Sequence, residues 1–159
     1  LAAGFHATKS HRPSQLARAT GRGIVSKVSN VAGRGSRFMP IVAQPGQIGA
    51  FTIDGAYEDY LAIAGPSWRN EIAAELTLEL GSRVPAKAAK SVTCPVLVQI
   101  TDFDRSAPPN AAAKAAFKAR AEVRHYPGDH FDVFPGKPFH DAAVKHSVSF
   151  LTRHLGGAA

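Results

Sequence analysis

Cys94-Pro95-Val96-Leu97-Val98-Gln99-Ile100 opens the stretch that decides the fold: a continuous apolar run behind a proline. A run with no polar face suits a strand covered on both sides, as in a parallel sheet. Residues 109–120 (PNAAAKAAFKAR) then predict an alanine-rich helix with proline at its start, where a missing N–H costs nothing. Glu122-Val123-Arg124-His125-Tyr126 predicts a second strand, stopped by Pro127-Gly128, and a last helix is expected from about Pro138 to Leu155. Strand, helix, strand, helix is the right-handed crossover unit of an α/β sheet. Two strands alone are marginal in water, and residues 1–94 contain no third convincing strand. The sheet is therefore expected to be completed by other sequence or another chain, as half of a larger fold.

Each strand runs into a loop with ionisable residues. Thr101-Asp102-Phe103-Asp104-Arg105-Ser106-Ala107-Pro108 follows the first, and Pro127-Gly128-Asp129-His130-Phe131-Asp132 follows the second. Ligands of open α/β sheets bind beyond the carboxyl ends of the strands, so neighbouring parallel strands would bring an aspartate and a histidine to one rim. An aspartate that orients a histidine, which then serves as general base, is the supporting half of a nucleophilic triad.

These two segments resemble the penultimate strand with its acid loop, and the histidine loop, of the α/β-hydrolases. The resemblance is good over residues 94–155 and weak over 1–93, where that family inserts a variable cap. It implies an α/β fold: the C-terminal portion of an α/β-hydrolase sheet with flanking helices, preceded by a mostly helical cap or lid. The expected division is 1–90 for the cap region and 91–159 for the core portion. The family's order of nucleophile, acid, histidine is respected by Asp104 and His130, which the resemblance marks as catalytic acid and base. Its G-x-S-x-G nucleophile elbow is missing, since Ser10, Ser36, Ser67, Ser82 and Ser106 all lack the flanking glycines. The implied activity is esterase-like acyl hydrolysis on a small ester-like substrate. The implied partner is the missing N-terminal half or a second copy, and the 159 residues alone are expected to be inactive.

Other chemistry-bearing residues have plainer expected roles. Asp102 matches a family position that is usually structural, and Asp129 and Asp132 are expected at the surface and in turns. Cys94 is expected to pack as a small apolar group before the strand. The remaining histidines (His6, His11, His125, His140, His146, His154) show no metal-ligand spacing, so neither metal nor other cofactor is expected.

Charge separates the rest of the chain. Residues 1–53 carry Lys9, Arg12, Arg18, Arg22, Lys27, Arg34 and Arg37 with no acidic residue, so the whole excess of +7 lies there. A solvated basic surface is expected, without specific nucleic-acid binding. The alternative to the hydrolase is a non-catalytic protein whose basic third binds an anionic membrane or nucleic acid. Gly21, Gly23, Gly33 and Gly35 are expected to break this region into short helices, with Leu16, Ile24, Val25, Val28 and Val31 on the packing face. Gly21-Arg22-Gly23 has neither the third glycine nor the preceding strand of a dinucleotide fingerprint. Tyr57 and Tyr60 suggest a short helical turn. Trp68, Ile72, Leu76 and Leu80 recur every four residues, which predicts a helix capped by Ser67, stopped at Gly81 and anchored in the core by Trp68. A single cysteine excludes an intramolecular disulfide and leads to a cytoplasmic expectation.

Overall fold

A computed structural model describes residues 13–79 and 85–156, which fall into two compact units, one from each stretch. In the first unit, helix α1 runs without interruption over Pro13–Val31. It passes through Gly21 and Gly23, contrary to the expected break, and ends where Gly33 takes a left-handed conformation (φ 73°). There the N–H of Gly33 bonds the carbonyl of Asn30 and that of Arg34 the carbonyl of Ser29, closing the helix with a left-handed cap. Its packing face is also not the expected one. Ala19, Gly23 and Ser26 are buried at helical spacing, whereas Ile24, Val25, Val28 and Val31 are exposed. Small residues are needed because a Cβ on Gly23 would stand 2.8 Å from Thr77 Oγ1 and 3.0 Å from the Ala74 carbonyl. The Leu16 side chain lies outside the described residues.

The segment after Trp68 does not form the expected helix. Phe38–Met39 (β1) pairs antiparallel with Ile72–Ala73 (β2), and a 3₁₀ turn follows over Ala74–Leu78. Long-range partners override the four-residue period. Asn70 accepts from the Val42 N–H at 2.9 Å and donates to the Val42 carbonyl at 2.8 Å, standing in for a strand. Glu75 takes hydrogen bonds from Ser26 and Ser36, which fixes the turn under α1 and holds its carboxyl below the ordinary range. Trp68 is half-buried in a turn, and Leu80 and Gly81 lie outside the described residues. Helix α2 (Ala56–Ile63) carries the expected Tyr57 and Tyr60, the latter with its ring tilted against Phe51.

The second unit opens with 3₁₀ turns at Pro85–Lys87 and Ala89–Ser91. Strand β3 (Leu97–Thr101), helix α3 (Pro109–Lys118), strand β4 (Glu122–Tyr126) and helix α4 (His140–Leu155) follow in the expected order. β3 and β4 are parallel, with Leu97 opposite Glu122 and Thr101 opposite Tyr126. Among the described residues they pair only with each other. Cys94 is exposed rather than packed, because the strand begins only at Leu97. α3 ends on Arg120 in the left-handed region (φ 53°), unusual for a residue with a side chain.

A partly buried polar chain fastens α4 to the sheet. The Tyr126 hydroxyl donates to Gln99 at 2.8 Å, and the Gln99 amide donates to Ser147 at 2.6 Å. His146 Nδ1 lies 2.8 Å from the same hydroxyl, whose one proton is already given to Gln99. Nδ1 therefore carries the hydrogen and donates to Tyr126. Among the described residues, no helix is long and apolar enough to cross a membrane.

Candidate active site

The register of β3 and β4 sends both following loops off the same edge. The ladder continues past the strands, with the Asp102 N–H on the Tyr126 carbonyl at 2.8 Å and the Phe103 N–H on the Gly128 carbonyl at 3.0 Å. Gly128 has to be glycine. A Cβ there would sit 2.7 Å from both Asp132 Oδ2 and Phe139 Cε2. So placed, the loops bring Asp104 Oδ2 to 2.8 Å from His130 Nδ1, inside the hydrogen-bond range of about 2.6–3.2 Å.

Asp104 is saturated with donors. Oδ1 accepts from the N–H groups of Ser106 (2.8 Å) and Ala107 (2.6 Å), and Oδ2 accepts from His130 and from the Thr101 hydroxyl at 3.2 Å. Four donors fill the roughly four lone-pair sites of a carboxylate, which fixes its plane. Burial works against ionisation, but the His130 bond, the Ala107 and Ser106 N–H groups and the imidazole charge outweigh it and hold the carboxyl below its ordinary value. The hydrogen bond to Asp104 raises the pKa of His130, and burial only partly opposes it. With Nδ1–H turned to Asp104, Nε2 is the nitrogen that can take up a proton, and the resulting imidazolium has a carboxylate beside it. The Phe131 ring and the imidazole meet in a T-shaped pair at 5.0 Å between centroids.

The other ionisable residues of the two loops make contacts of their own. Asp102 pairs instead with His125 Nδ1, at 2.6 Å on an exposed face. Asp132 stabilises its own turn by accepting from the Asp129 N–H at 2.7 Å. Asp129 bridges the two loops through Arg105, a role the sequence reading missed. Its signal was legible, since a cation follows the acid and an anion precedes the histidine. Thr101 was missed as well, as a last strand residue with no special spacing. No group of three His, Cys, Asp or Glu among the described residues could hold a metal ion. Ser10, Ser82, His6 and His11 lie outside the described residues.

The chain matches no protein-family profile and no curated protein sequence. Solved structures do match. One is the structure of DcsB in complex with its substrate analogue (TM-score 0.68, 21% identity, covering 92% of this chain and 53% of that one). Another is the α/β hydrolase GrgF from Penicillium sp. sh18 (TM-score 0.66, 17% identity, covering 92% and 52%). The chain has an α/β-hydrolase-like fold and spans about half the length of these structures.

Proposed function

We propose that Asp104 and His130 are the acid and general base of a serine-type α/β-hydrolase that cleaves a small ester-like substrate. The observation that carries this reading is the 2.8 Å bond between His130 Nδ1 and a fully coordinated Asp104. Nucleophile and oxyanion donors would come from sequence outside these 159 residues, which contain no G-x-S-x-G. Three features support a core continued by such sequence: the half-length coverage, the two-stranded parallel sheet, and the exposed Val144, Val148, Leu151 and Leu155 along α4. In this scheme the cap is the region over residues 1–90, and the protein resides in the cytoplasm.

His130 Nε2 takes the proton of the nucleophile's hydroxyl as that oxygen bonds to the ester carbonyl carbon. Collapse of the tetrahedral intermediate breaks the ester C–O bond, and the imidazolium gives its proton to the departing alkoxide. Water then attacks the acyl-enzyme, His130 takes one water proton and returns it to the serine oxygen, and acid and alcohol are the products. Asp104 stays ionised throughout and stabilises the imidazolium formed in each half-reaction.

A fluorophosphonate probe tests the assignment on the protein with its nucleophile-bearing half. Labelling is expected on a serine outside residues 1–159, slowed at least about a hundredfold by His130→Ala. Labelling at the wild-type rate in that variant would overturn the role of His130.

A further inference from the structure

A second pair brackets the first. Arg105 directly follows Asp104, and Asp129 directly precedes His130. Asp129 Oδ1 accepts from the Arg105 N–H at 2.9 Å and from the His130 N–H at 2.8 Å, while Oδ2 accepts from the Arg105 Nε–H. One carboxylate thus holds the backbone of the residue after the acid and the backbone of the histidine itself. The Asp132 carboxylate in turn holds the Asp129 N–H at 2.7 Å.

We propose that Asp129 and Arg105 are positioning residues, a clamp that sets the distance and orientation of His130 against Asp104. The proposal rests on the reading of that pair as the catalytic acid and base. The Phe103–Gly128 bond already joins the loops on the strand side of the pair. The Asp129 bridge closes the other side, so Asp104 and His130 sit inside a ring of hydrogen bonds and cannot slide apart independently. Geometry is the main contribution. Arg105 is largely exposed, and a solvated ion pair adds little by charge alone. The carboxylates that act on the imidazole are Asp104 from the first loop and Asp129 from its own, the latter paired with Arg105.

Nuclear magnetic resonance of the His130 ring tests the clamp without relying on turnover. In the wild type, ring nitrogen shifts should report the Nδ1–H tautomer, with a strongly deshielded Nδ1 proton. Asp129→Ala should mix the tautomers and broaden or lose that proton signal. Asp129→Asn, which keeps an acceptor for the two N–H groups, should retain most of it. Arg105→Ala should give a smaller loss than Asp129→Ala and still reads out if the latter fails to fold. Arg124→Ala, which breaks an exposed pair with Glu122, should leave the ring unchanged. In the complete enzyme, Asp129→Ala should lower kcat about ten- to a hundredfold with little change in KM. A wild-type ring signature in Asp129→Ala would overturn the clamp, and so would an Asp129→Asn variant as disturbed as the alanine. An enzyme inactive towards every ester would instead count against the hydrolase reading, since the ring signature does not depend on it.

Discussion

Asp104 and His130 each move the other's titration, and the two directions have opposite consequences for stability and activity. The His130 pKa is raised above 6.5, so its contribution to stability is fully present below 6.5 and is lost as pH rises through the folded value. That of Asp104 is lowered from 3.8, so its contribution is present above 3.8 and is lost as pH falls through the folded value. The stability difference between wild type and His130→Ala should therefore be largest at pH between 3.8 and 6.5 and shrink above that, as denaturant titrations at several pH values would show. Turnover runs the other way, because a general base must be neutral. The acidic limb of kcat/KM, which reports the free enzyme, should rise with a midpoint above 6.5. Asp104→Asn should lower kcat by about 10³–10⁴-fold, since an amide cannot accept from all four donors and favours the wrong imidazole tautomer. A midpoint at or below 6.5 in the wild type would contradict the arrangement.

Two glycines of α1 separate propensity from packing. Gly21 has open space where a Cβ would go, whereas Gly23 lies against Thr77, Ala74 and Leu78. Gly21→Ala should stabilise the unit by about 0.5–1 kcal/mol through lower unfolded-chain entropy. Gly23→Ala should destabilise it by about 1–3 kcal/mol, since the turn at 74–78 must move. Chemical denaturation of the two variants checks both signs, and a stabilising Gly23→Ala would mean that the helix does not sit so close. The same helix shows where sequence reading ended. β4, α3 and α4 were legible because their patterns are local: an alanine run, a proline at a helix start, a Pro-Gly stop. α1 was not, because Gly23 is held in it by close contact with residues some fifty positions away. Nor was the segment after Trp68, where the Asn70 grip on Val42 and the Glu75 bonds to Ser26 and Ser36 outweigh an apolar period. Within the site, Asp104 and His130 were legible from loop motifs, and the Arg105–Asp129 bridge left a charge pattern beside them, whereas the Thr101 bond to Asp104 depends on a side-chain direction that spacing does not encode.

For the molecule as a whole, Asp104 and His130 form a hydrogen-bonded pair, and its use as acid and base in acyl transfer is the proposal. Histidine and aspartate accelerate acyl transfer by acting on a positioned hydroxyl, and have little to activate without one. Backbone donors to the oxyanion contribute a further ~2.7–4 kcal/mol each. The direct measurement is steady-state hydrolysis of a chromogenic ester by residues 1–159 alone, beside the same residues supplied, in one chain or as a second one, with the sequence proposed to carry the nucleophile. Residues 1–159 should turn over no faster than their His130→Ala variant, and the supplemented protein should show turnover that His130→Ala and Asp104→Asn both reduce. Robust His130-dependent turnover by residues 1–159 alone would place a nucleophile within them, and supplemented turnover indifferent to both substitutions would remove the pair from catalysis; either result contradicts the account.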